Sequence, residues 1–76
     1  MNSNKLKGII KERDKTRKEC AEALGISEFQ FGKKVNGKVG FWLKELAILA
    51  GFLGMTKKEF FEIFTPEVVF IEETNI

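Results

Sequence analysis

Glu28, Phe29, Gln30 and Lys33 are the side chains whose types and spacing could do the most specific chemistry in this chain. A lysine can donate to guanine O6 and N7, and a glutamine can bridge adenine N6 and N7. A glutamate can accept from cytosine N4, and an aromatic ring can pack on the thymine methyl. All of these groups lie on the edge that duplex DNA presents in its major groove. Each residue also has a plainer alternative. Phe29 can be a singly exposed apolar residue, Gln30 can serve only as a helix cap, and Glu28 repels phosphate unless it meets a cytosine or a cation. Upstream, Lys15, Arg17 and Lys18 cluster where a helix begins, and the N–H groups there suit an anion. Lys34, flanking the core, is better placed for a phosphate than for a base.

The elements that must position these groups are written between Thr16 and Lys38. Thr16-x-x-Glu19 is a helix start in which side chain and backbone exchange hydrogen bonds. Cys20, Ala21 and Leu24 continue it as an apolar stripe, and Gly25 supplies a left-handed stop. Ser27-x-x-Gln30 starts a second helix with the same device, and Asn36-Gly37 ends it. Two short helices joined by a turn of roughly three to four residues containing Gly make a helix-turn-helix. With Phe31 at the centre of the buried face and about 100° per residue, Val35 is core. Phe29, Lys33 and Asn36 then fall at about 160°, 200° and 140°, the outermost face. Gln30 and Gly32 fall on its flanks.

The segment A-E-A-L-G-I-S-E-x-x-F-x-K-K-V-N-G-K resembles the Cro/CI-type (XRE-like, lambda-repressor-like) helix-turn-helix family, particularly its small phage-encoded members. The resemblance runs from about Leu6 to Phe64 and includes the later L-x-x-L-A-x-L-A-x-x-L-G-M-T-x-x-E-F pattern. It implies that the start of the first motif helix meets the sugar-phosphate backbone. It adds a phosphate contact to Ser27, and makes Asn36, Lys38 and the following loop a second backbone clamp. The chain departs from the family at Arg17, where Gln is usual, and at Gln30, where a small residue is usual.

Composition narrows the alternatives. Residues 1–38 carry ten Lys/Arg against five Asp/Glu, and the remainder carries three against six, so a net charge of +2 hides a basic half that contains the motif. Basic surface that displaces phosphate counterions gives sequence-independent DNA affinity, although an ordinary solvated charge distribution has the same composition. There is no His or Tyr, no carboxylate pair on an apolar face and no phosphate-cradling Gly loop, so an enzyme is not expected. One Cys cannot form an internal disulfide, and no zinc site of ordinary type is expected. Cys20 falls on a buried face and reads as packing. No cofactor or small-molecule ligand is implied. Without a membrane-length apolar run or a signal-peptide pattern, the expected location is the cytoplasm.

The rest of the chain completes one domain. Asn4 or Ser3 can cap a first helix to about Arg13, with Leu6, Ile9 and Ile10 inward and Lys5, Lys7, Lys11 and Glu12 in water. Gly8 within it suggests a close helix contact. A fourth helix begins at Phe41 or Trp42 and reaches about Leu53, with Leu43, Leu46, Ala47, Leu49, Ala50 and Leu53 as its core stripe. Thr56-x-x-Glu59 starts a fifth, with Phe60, Ile63 and Phe64 inward, and Pro66 blocks its continuation. The expectation is an all-α, compact five-helix lambda-repressor-like DNA-binding domain over residues 1–65, followed by a short extended or β tail over 66–76. Val68, Val69, Phe70 and Ile71 form an uninterrupted run of β-formers. With Ile48 and Phe52 they suggest a homodimer that sets two reading helices one DNA turn apart. The tail could instead fold back on its own core or be disordered. The function expected is a Cro-like phage or prophage repressor on operator DNA. The alternative is a protein-interaction module on the same fold, an antitoxin or anti-repressor.

Overall fold

Thr16, Ser27 and Thr56 each close the capping box their spacing predicts. The Thr16 N–H donates to Glu19 Oε1 at 2.8 Å while Thr16 Oγ1 accepts from the Glu19 N–H at 3.1 Å. The same exchange joins Ser27 to Gln30 and Thr56 to Glu59. The structure, a computed structural model, describes residues 1–64 and the strand Val69–Phe70. Five helices form among the described residues: α1 (Ser3–Glu12), α2 (Arg17–Leu24), α3 (Glu28–Val35), α4 (Leu43–Leu53) and α5 (Lys57–Ile63). Two short strands, β1 (Phe41–Trp42) and β2 (Val69–Phe70), pair in parallel. The expected all-α character holds in its helices, with this strand pair added.

Gly25 stops α2 at φ +72°, the left-handed position where Cβ-bearing residues are strained. The Ile26 N–H then reaches back to Ala21 O, and the Gly25 N–H to Glu22 O. The chain therefore turns within two residues, and α2 packs against both α3 and α4. The core collects Leu6, Ile9 and Ile10 of α1, Cys20 and Ala21 of α2, Phe31 and Val35 of α3, Leu46, Leu49 and Leu53 of α4, and Ile63 and Phe64. Burial pushes the Cys20 thiol upward, in keeping with a packing role.

Several expectations need correction. Asn2, not Ser3 or Asn4, caps α1, its Oδ1 accepting from the Lys5 N–H at 3.1 Å. The helix expected to begin at Phe41 or Trp42 begins at Leu43, because Phe41 is extended and buried edge-on between Phe31 and Phe64. Leu43 and Ala47 are exposed, not core. The buried residues Leu46, Leu49 and Leu53 define the inner face of α4, and Ala47 projects about 130° away from its centre. Phe61, for which the spacing sets no face, is exposed.

Gly8 makes no close helix contact: a Cβ built there meets nothing within 4 Å. Its cost to α1 is therefore uncompensated. Replacing Gly8 by Ala is expected to raise stability by about 0.5–1 kcal/mol, seen as a higher urea midpoint.

A second set of bonds ties the ends of the fold together. The Asn2 N–H donates to Ile63 O at 2.8 Å. Arg13 Nη2 reaches Glu59 Oε1 and Oε2 at 2.8 and 3.0 Å. The Thr56 N–H and the Arg13 guanidinium hold the Glu59 carboxyl below its ordinary range. A carboxylate whose folded pKa is depressed stabilises the fold above its unfolded pKa, and that contribution disappears as pH falls through the folded value. Thermal melting of Glu59→Gln should accordingly fall below wild type near neutrality, with the two curves converging in acid.

Candidate nucleic-acid interface

The outer face of α3 forms one wall of an open cleft of about 650 Å³. Glu28, Phe29, Gly32, Lys33 and Asn36 come from α3 and its C-cap, Arg17 from the first turn of α2, and Lys38 from the loop beyond. Three cations therefore face one carboxylate. Phe29 is 72% exposed, as its helical angle requires, and Lys33 Nζ lies 4.9 Å from the centre of its ring. Lys38 is placed by the αL turn at Gly37, its N–H donating to Lys33 O at 2.9 Å.

Arg17 links this cleft to another. A Cβ at Gly32 would meet the Arg17 guanidinium at 3.7 Å, so the guanidinium lies along the flank of α3 where no side chain stands. The adjoining cleft, about 460 Å³, gathers Lys7 and Lys11 of α1 with Lys15 and Arg17, against a single acid, Asp14. Lys15 is partly engaged already, its ammonium 4.8 Å from the centre of the Phe52 ring. Lys18 is exposed on α2. Lys7 and Lys11 belong to this basic surface although they read in the sequence only as water-facing. Their spacing of four on one helix face was the available signal.

Gln30 is separated from the other base-reading candidates. Its Oε1 accepts from the Ser27 N–H at 3.1 Å, and it lines a different cleft with Ile26, Val39 and Trp42. Lys33 borders both clefts. Ser27 Oγ accepts from the Gln30 N–H at 3.1 Å, so its capping role is filled.

Lys34 does not belong with the phosphate-facing residues. It is only 7% exposed, and its Nζ donates to Glu45 Oε1 at 2.9 Å and to Gly40 O at 3.0 Å. Glu45 Oε1 also accepts from the Trp42 N–H at 2.9 Å. The ammonium is committed to fastening the loop after α3 onto α4 and cannot reach a duplex. Its flank angle on α3 did not reveal this, because the partner lies on the next helix.

The expected dimer residues divide. Ile48 is exposed, but Phe52 packs on its own core beneath Lys15. Val69 and Phe70 pair with Phe41 and Trp42 of the same chain, so these two residues do not stand as a lone strand. Val68 and Ile71 lie outside the described residues. On α4 the exposed apolar surface is Leu43, Ala47 and Ile48.

Among the described residues, no group of metal-ligating side chains gathers and no helix is long and apolar enough to cross a membrane. No protein family, curated protein or solved structure matches the chain.

Proposed function

We propose that this chain is a sequence-specific double-stranded DNA-binding regulator with a lambda-repressor-like domain, of the Cro-like phage or prophage kind. In this reading α3 enters the major groove and the chain works in the cytoplasm as a homodimer. The observation that carries it is the cleft on the outer face of α3. There the outer face of α3, with Phe29, Lys33 and Asn36 exposed, is bordered by Arg17 and Lys38. A major groove admits an α-helix; Lys33 lies on the face that would enter it, and Arg17 and Lys38 border that face as cations for phosphate. Lys7, Lys11 and Lys15 extend the basic surface on the α1 side. The homodimer would form through Leu43, Ala47 and Ile48 of α4, with transcription regulated by covering operator DNA.

The second reading, a protein-interaction module such as an antitoxin or anti-repressor, draws on the exposed Phe29, Trp42 and Phe61. Charge reversal at Arg17 and Lys33 separates the two. For the DNA-binder, Arg17→Glu with Lys33→Glu should weaken duplex binding at least tenfold and flatten its salt dependence by about one unit of slope. Unchanged DNA binding by the folded double variant would remove α3 from the interface.

A further inference from the structure

The geometry of Phe29 and Lys33 makes them one group. They lie four apart on the outermost face of α3, and the Lys33 ammonium lies 4.9 Å from the centre of the Phe29 ring. An ammonium over an aromatic face is held there by the ring quadrupole. The ring thereby restrains an otherwise flexible side chain, and the lysine stem covers one side of an otherwise exposed ring.

We propose that Phe29 and Lys33 form a single reading unit for a thymine beside a guanine on the major-groove edge of duplex DNA. This rests on the DNA-binding reading of α3. The thymine methyl is the apolar group on that edge, and guanine O6 and N7 are the pair of acceptors there. The edge of the ring takes the methyl, and the ammonium over its face takes the guanine acceptors. Successive base pairs are about 3.4 Å apart along the axis. A charge 4.9 Å from the ring centre therefore reaches the neighbouring pair when the ring sits on its own. Adenine fits the ammonium poorly, since it replaces O6 by an amino donor. Because the lysine is oriented by the ring, loss of either side chain degrades recognition of both bases.

The test begins by selecting the tightest-binding duplexes from a random pool with wild-type protein. Their affinities are then measured with deoxyuridine replacing each thymine, and with 7-deazaguanine replacing each guanine. Wild type, Phe29→Ala, Lys33→Met and the double variant are compared, and circular dichroism checks that each is folded. The expected result is one thymine whose demethylation weakens wild-type binding about fivefold, beside a guanine whose N7 removal weakens it about tenfold. Phe29→Ala should be indifferent to the first change and less sensitive to the second. The double variant should lose less than the product of the two single losses. Tight binding of selected duplexes with no methyl-sensitive thymine, or a methyl effect that persists in Phe29→Ala, overturns the reading unit while leaving DNA binding intact. Failure to select any duplex with folded protein overturns both.

Discussion

Lys34→Met is expected to destabilise the domain by about 3 kcal/mol, the cost of leaving a buried carboxylate without its partner. Glu45 is 7% exposed, and its Oε1 accepts from both Lys34 Nζ and the Trp42 N–H. With the ammonium gone, one backbone N–H remains to satisfy a charge that water barely reaches. A domain of this size has on the order of 5 kcal/mol in total, so most of its stability would be lost. Lys34→Met combined with Glu45→Leu should recover much of the loss, since an apolar pair of similar volume avoids the desolvation cost. Recovery should be incomplete, because the Trp42 N–H and the Gly40 carbonyl both lose an interaction. Urea denaturation measures both steps. Lys33→Met, exposed one residue earlier, should change stability by less than about 0.5 kcal/mol. A Lys34→Met variant as stable as Lys33→Met would contradict the ion pair.

Phe41→Ala is expected to cost about 3–5 kcal/mol, the range for deleting a buried aromatic side chain. The ring is 1% exposed and meets Phe31 and Phe64 edge-on, with centroids 6.3 and 5.6 Å away. It belongs to β1, which joins the motif helices to α4, so its loss opens a cavity where α3 and the end of α5 converge. Phe41→Leu keeps most of the volume and should cost less than about 1.5 kcal/mol. Denaturant titrations followed by far-ultraviolet circular dichroism distinguish these outcomes. A cooperative transition in Phe41→Ala within about 1 kcal/mol of wild type would place the ring outside the core.

These two residues also mark where sequence reasoning stops. The three capping boxes were legible because each is a local exchange between residues three apart, needing no knowledge of the rest of the chain. The stripes Leu6, Ile9, Ile10 and Phe31, Val35 were legible for the same reason, since helical periodicity alone assigns the inner face. Phe41 was not, because an extended dipeptide among loop residues carries no period, and its burial is decided by Phe31 and Phe64. Lys34 looked like a flank lysine until Glu45, eleven residues on, was brought against it. Val69 and Phe70 showed their β character but not their partner, which only the three-dimensional arrangement supplies.

The candidate interface divides along the same line. The outward placement of Phe29, Lys33 and Asn36 follows from 100° steps, and all three are exposed. That Arg17 lies along Gly32, that Lys7 and Lys11 join Lys15, and that Gln30 faces a different cleft are tertiary facts. Charge asymmetry gave the correct half of the chain for the basic surface, but it could not distinguish the buried Lys34 from its exposed neighbours.

The most direct test of the central proposal is fluorescence anisotropy of a labelled pool of random duplexes with the purified protein, from about 50 to 200 mM salt. Binding should weaken steeply, with a log–log slope near −0.9 for each phosphate contacted, and light scattering should give two chains in the DNA complex. A folded, helical protein that binds no duplex even at the lowest salt would contradict the account.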